Sequence, residues 1–232
     1  MDTAIIEITD LAYRGAGVGR IDGKTCFVPF TAPGDRVEIL ITRDKKRFSF
    51  GEIRRILTPS PDRIEPRCPV FTVCGGCDWQ HLPYERQVRG KREILESTLM
   101  RIGGIDTGEP GISVFPSPSA WNYRTAVQVK VDPAEGAGFF RKGSNRIVPV
   151  GYCPISDPAI NRRLEELNRG LTEPKSAAGE ELAEVELYVD ENTILHEKHH
   201  PPGARALPFH QVNREVNKII VRRLAEWASE VL

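Results

Sequence analysis

The chain has 232 residues with 32 basic and 32 acidic side chains, so no global field draws it to a polyanion or a membrane. Its start, MDTAIIEITD, lacks the basic, long-apolar pattern of a signal peptide, and no segment approaches about 18 uninterrupted apolar residues. These features predict a cytoplasmic protein without a membrane partner, whose five cysteines act as ligands or core residues rather than as disulfides.

Residues 1–58 read as all-β. AIIEITDLA alternates apolar and polar, RGAGVGRIDG supplies turn glycines, and KTCFVPFTAPGDRVEILITRDKKRFSFGEIRRIL holds further short strands. Five short strands in so few residues predict a small closed barrel of the OB type. GAGVG is not a dinucleotide fingerprint, because Arg20 stands where the third glycine belongs and no helix pattern follows. The Pro-rich LTPSPDRIEPRCP opens a second segment, 59–110, in which Pro83 precedes a helix with Val88, Leu95, Leu99 and Ile102 on one face, stopped at Gly103-Gly104.

A third segment, 111–208, predicts an α+β domain. RTAVQVKVD and AGFFRKGSNRIVPVGY suggest a hairpin or meander, SDPAINRRLEELNRG a short helix ended by Gly170, and ELAEVELYVDENTILH two more strands. From 209 to 232 a last helix follows the cap residue Asn213, with Val216, Ile220, Leu224, Trp227 and Val231 on one face. The whole predicts a mainly β protein with α+β character.

Four thiols form the sharpest constellation: Cys68-x5-Cys74-x2-Cys77, with Cys153-Pro154 far downstream. Four-thiolate zinc sites usually pair two C-x2-C knuckles, and only one is present. Iron–sulfur clusters accept a cysteine-rich loop with a remote fourth ligand. Gly75-Gly76 lets backbone wrap closely around either group, so spacing alone leaves iron–sulfur and zinc both open. Cys26, on its strand, reads as a core residue.

Two charged stretches point to a polyanion locally. RDKKRFSF places Arg43, Lys45, Lys46 and Arg47 beside Phe48 and Phe50 at a β-turn, cations for phosphates with rings for bases. FFRKGSNR repeats the theme with Arg141 and Lys142, and Arg124 is a third candidate. HEKHH, His196–His200, formally matches the zinc-protease H-E-x-x-H. That motif requires a helix, and Pro201-Pro202-Gly203 predicts a turn instead.

Cys68-x5-Cys74-Gly75-Gly76-Cys77-Asp78-Trp79-Gln80-His81 resembles the cluster loop of bacterial RNA uracil-5-methyltransferases of the 23S rRNA type, with Cys153-Pro154 at the place of their fourth ligand. GAGVGRIDGKTCFVPFTAPGDRVE resembles the TRAM domain that opens many of these enzymes, and WNYRTAVQVKV their Y-R strand. PFHQVN resembles their F-x-Q-x-N element. The resemblance implies an RNA-binding TRAM barrel and a [4Fe-4S] cluster on Cys68, Cys74, Cys77 and Cys153. It further implies rRNA as partner, and Phe209 with Gln211 as a seat for the target uracil.

In that family the F-x-Q-x-N element leads into an S-adenosylmethionine domain carrying the nucleophile and base. Here only Arg214–Leu232 follows, so the resemblance implies an N-terminal portion, not catalytic alone. Its methyltransferase domain would be missing or separate, and S-adenosylmethionine would bind only in a complete enzyme. The other reading is a stand-alone RNA-binding or redox-sensing iron–sulfur protein.

Overall fold

A computed structural model describes residues 2–172, 183–200 and 211–231. The chain divides into two compact units, Met1–Thr72 with Cys77–Val114, and Val73–Gly76 with Phe115–Leu232. Together they make a mainly β protein with helices and two separate sheets.

The first unit contains β1 (Thr3–Glu7), β2 (Asp10–Leu11), β3 (Gly17–Ile21), β4 (Lys24–Val28), β5 (Arg36–Asp44) and β6 (Phe48–Thr58). They order as β1-β5-β6-β4-β3-β2, all pairs antiparallel except β4 with β6. Alternation sends Ile6, Ile8, Cys26, Val28, Val37 and Ile39 into one core. Six strands, where five were expected, form one sheet, and no ladder among the described residues closes it into a barrel. The edge strand β2 is only two residues long, and no ladder joins it to β1.

GAGVG proves to be a packing device. A Cβ on Gly15, at φ +74°, would lie 2.6 Å from the Trp79 indole, and one on Gly17 would lie 2.0 Å from Thr31 Oγ1. Helix α1 (Tyr84–Thr98) starts after Pro83 and continues into a π-helical turn, Leu99–Gly103, before Gly104 reverses at φ 62°. Its inward stripe differs from the expected one. Leu95 and Ile102 are exposed, whereas Ile94 packs with Trp79 on Leu11, Ala32 and Leu82. Gly90, one turn before Ile94, is buried against Leu11 and Trp79, and a glycine carries no weight in an apolar count.

The second unit contains β7 (Ala126–Asp132), β8 (Gly136–Phe140), β9 (Ile147–Pro149), α2 (Pro158–Thr172), β10 (Ala183–Val189), β11 (Leu195–His200) and α3 (Arg214–Val231). The sheet is antiparallel throughout, ordered β11-β10-β7-β8-β9. Ile160 and Leu164 of α2 bury against Val127, Val129, Ala137, Val185 and Leu187. Gly170 lies inside α2 instead of ending it. His196–His200 form strand, not turn, because β11 pairs with β10 from Leu195 to His200. Along a strand His196 and His200 stand about 13 Å apart, which rules out the protease arrangement.

Asn213 caps α3, its Oδ1 accepting from the Val216 N–H at 3.0 Å. Ile220, Leu224 and Trp227 on that helix are exposed. Among the described residues no helix is long and apolar enough to cross a membrane.

Candidate functional site

In the first unit the candidate site is the outer face of the sheet at the β5–β6 turn. The turn closes through the Lys45 N–H donating to Phe48 O at 2.9 Å, and Lys24 ties down Asp44. Arg43, Lys45, Lys46 and Arg47 are exposed and make no ion pair among the described residues. Ser49 turns inward and is buried, so its neighbours Phe48 and Phe50 turn outward, 38% and 36% exposed. Parallel pairing brings Phe27 opposite Phe50. The three rings contact one another at centroid distances of 5.5 to 6.1 Å. Phe27 was not among the residues expected from sequence, since only the non-local β4–β6 pairing puts it there.

The Gln80-His81 end of the cysteine loop is a buried clamp. Gln80 Oε1 accepts the Cys68 N–H at 3.2 Å. His81 Nε2 lies 3.1 Å from Thr31 O, its ring stacks on Phe71, and burial pushes its pKa down to about 4. Beside it, Asp35 accepts the N–H groups of Ala32 and Ser60 at 2.7 and 2.8 Å and pairs with Arg63 at 3.0 Å. Burial alone would raise the Asp35 pKa; the Arg63 guanidinium and the two amides outweigh it and hold the carboxyl below its usual range.

In the second unit, Val73–Gly76 are stitched to the end of β8. The Lys142 N–H donates to Val73 O and the Gly75 N–H to Phe140 O, both at 2.9 Å, and Cys74 bridges to Arg141. A Cβ on Gly75 would approach Phe140 O to 3.2 Å, closer than a side chain sits comfortably. The Gly76 N–H reaches Cys74 Sγ at 3.4 Å. Burial raises the Cys74 thiol pKa; that amide lowers it, a charge on Cys153 adds to the rise, and Arg124 opposes it. Cys153 and Arg124 therefore each lie within electrostatic reach of Cys74.

Asn161, which sequence reading passed over, fixes the Cys153 turn. Its Oδ1 accepts the Cys153 N–H at 2.8 Å, and its Nδ2 donates to Cys153 O and Ser156 O at 3.0 and 3.2 Å. Cys68 and Cys77 belong to the first unit. Among the described residues no three His, Cys, Asp or Glu side chains converge as a metal group. The donor chemistry of Cys74 and Cys153, backed by an amide and a close-approach glycine, fits half of a four-thiolate site.

Arg141 and Lys142 are exposed beside Cys74. Arg124 pairs through its backbone with Ser156 and Asn213, and its Nε donates to Ala126 O at 3.2 Å. Gln211 is exposed, while Phe209 lies outside the described residues.

Residues 3–53 match the family profile of the TRAM domain. The chain is 37% identical over 170 residues to an uncharacterized RNA methyltransferase of Synechocystis sp., covering 72% of this chain and 36% of the relative. A counterpart in Bdellovibrio bacteriovorus is 33% identical over 225 residues, covering 97% of this chain and 56% of the relative. The chain thus spans from about a third to just over half the length of these relatives.

The crystal structure of Pyrococcus abyssi tRNA (uracil-54, C5)-methyltransferase in complex with S-adenosyl-L-homocysteine shares the fold. The TM-score is 0.69 at 20% identity, covering 95% of this chain and 64% of that one. That coverage of this chain corrects the expectation of a missing or separate C-terminal methyltransferase domain.

Proposed function

We propose that the protein serves S-adenosylmethionine-dependent methylation of a uracil C5 in RNA, of the 23S rRNA type, and that the residues described here grip that RNA. The observation that carries this reading is the cluster of four cations, without ion pairs among the described residues, beside exposed rings on the unit whose sequence matches the TRAM domain. Relatives named RNA methyltransferase and the fold of a uracil-5-methyltransferase support it. Arg124, Arg141 and Lys142 provide a second RNA-contacting group, and Phe209 with Gln211 the seat for the target base.

A single-stranded oligoribonucleotide titrated at several salt concentrations tests the reading. Each phosphate contact adds about −0.7 to the slope of log K against log salt. Lys45→Glu with Lys46→Glu is expected to lower affinity about a hundredfold at low salt and to flatten the slope by about 1.4. Unchanged affinity and slope would remove this turn from the interface.

The same proposal assigns a [4Fe-4S] cluster to Cys68, Cys74, Cys77 and Cys153. The electrostatic proximity of Cys153 to Cys74 and the resemblance of the loop support it. Such a group, when bound, supplies thiolate-anchored cross-linking of distant chain segments. Asn161 and the Gly76 amide would hold Cys153 and Cys74 in place for it. Protein purified without oxygen is expected to contain iron with acid-labile sulfide; stoichiometric zinc without sulfide would refute the assignment.

A further inference from the structure

Strand pairing fixes more of the first unit's outer face than the turn alone. Directly paired residues in a sheet share a face, and residues two apart on one strand do too. Phe50 faces Arg43 of β5 on one side and Phe27 of β4 on the other. Phe27 in turn faces Val18 of β3. One step along, Phe48 pairs with Thr25, and Thr25 with Arg20. The result is a block of three contacting rings with Arg43 on one flank and Arg20 on the other. The cationic turn lies at one end, and Glu52, two residues beyond Phe50 and exposed, at the other. Arg20 is exposed, donates to Gly23 O at 2.8 Å and makes no ion pair among the described residues.

From this arrangement we propose that Phe27, Phe48 and Phe50 form a stacking platform for unpaired bases, with Arg20 and Arg43 holding the flanking phosphates. The site therefore selects single-stranded over double-stranded RNA. This rests on the RNA reading above and narrows it. A duplex keeps its bases stacked on each other and offers the rings nothing, whereas a single strand offers a π-face at every nucleotide. An aromatic face with cations on two sides and, among the described residues, no carboxylate paired with Arg20 or Arg43 is complementary to that ligand and not to an apolar protein surface. Because stacking is indifferent to base identity, the platform sets strandedness and leaves sequence choice to other contacts.

The test uses the full chain and three probes: a 12-nucleotide oligouridylate, the same strand with abasic residues replacing its central uridines, and an RNA duplex of equal length. Wild type is expected to bind the oligouridylate at least tenfold more tightly than either other probe. Phe27→Leu, Phe48→Leu and Phe50→Leu, which keep an apolar side chain on the face, are each expected to weaken oligouridylate binding about tenfold. The same variants should leave the abasic probe unchanged. That unchanged binding doubles as the evidence that they are folded.

Equal binding of all three probes by wild type would overturn the platform, as would Phe variants that weaken the intact and abasic strands alike. If salt-sensitive binding persists in that case and is lost in Lys45→Glu/Lys46→Glu, the RNA reading stands without the platform. Absence of salt-sensitive binding to any probe would overturn both.

Discussion

The β5–β6 turn of the first unit and the β10–β11 hairpin of the second are both sheet margins crowded with charge, and they use it in opposite ways. At the turn, Arg43, Lys45, Lys46 and Arg47 have no carboxylate partners among the described residues. On the hairpin nearly every charge is answered. Glu197 receives Arg163 at 2.6 and 3.1 Å and His199 at 2.8 Å. His196 meets Asp190 at 2.8 Å and stacks on Tyr188, Lys198 lies over the Tyr188 ring, and Lys130 pairs with Glu184. Composition alone would nominate HEKHH as readily as RDKKR. Local neutralisation separates them: charge left unsatisfied by the fold remains for a ligand, and charge already paired belongs to the fold.

The largest effect that sharpens this contrast comes from a buried group lacking what the β11 histidines have. His81 Nδ1 has no partner among the described residues, and no carboxylate bonds the ring. Its folded pKa of about 4 lies below the ordinary 6.5, so the unfolded chain takes up the proton first. The contribution is complete above pH 6.5 and is lost as pH falls toward 4, about 3 kcal/mol over that window. Urea unfolding at pH 7.5, 6 and 4.5 measures it, and His81→Gln is expected to flatten the profile. The Asp35 carboxyl, held below its usual range by Arg63, weakens the unit only at more acid pH.

Next in size, Glu197→Ala leaves the half-buried Arg163 without its two-pronged partner and is expected to cost about 2 kcal/mol. Lys45→Ala with Lys46→Ala at the turn should stay within about 0.5 kcal/mol. Chemical denaturation of both variants compares them directly; equal costs would break the contrast. A third cost, smaller than that of Glu197→Ala, concerns a neutral side chain. Asn161→Ala removes the acceptor of the Cys153 N–H and is expected to cost about 1 kcal/mol, with faster hydrogen exchange at that amide. Undiminished protection there would show that α2 holds the turn without the Asn161 amide.

Local features were legible in the sequence. AIIEITD alternates because one face of its strand is buried, RTAVQVKVD sends Val127 and Val129 into the core, Asn213 announces a helix start, and the cations of RDKKRF sit at the turn their polarity implies. What escaped depends on residues far apart in the chain. Phe27 joins Phe50 through a parallel pairing that skips β5. Asp35 and Arg63 find each other across a whole strand pair. The inward stripe of α1 departs from its apolar spacing because Gly90 packs by its smallness. The cysteine spacing showed that thiols were grouped, yet gave no sign that Val73–Gly76 would be built into the second unit while Cys68 and Cys77 stay in the first.

The parallel register of β4 against β6 also sets an order of events. The β5–β6 hairpin is local and brings Phe48 and Phe50 onto one face as soon as it closes. Phe27 reaches them only after β4 has docked across the intervening strand, a contact whose loop-closure entropy places it late. A nascent or partly unfolded chain would thus expose its cations early while its ring surface is still incomplete. Phosphates could be held at that stage, but bases could not yet be stacked, so discrimination between single and double strands would mature only with the last step of folding.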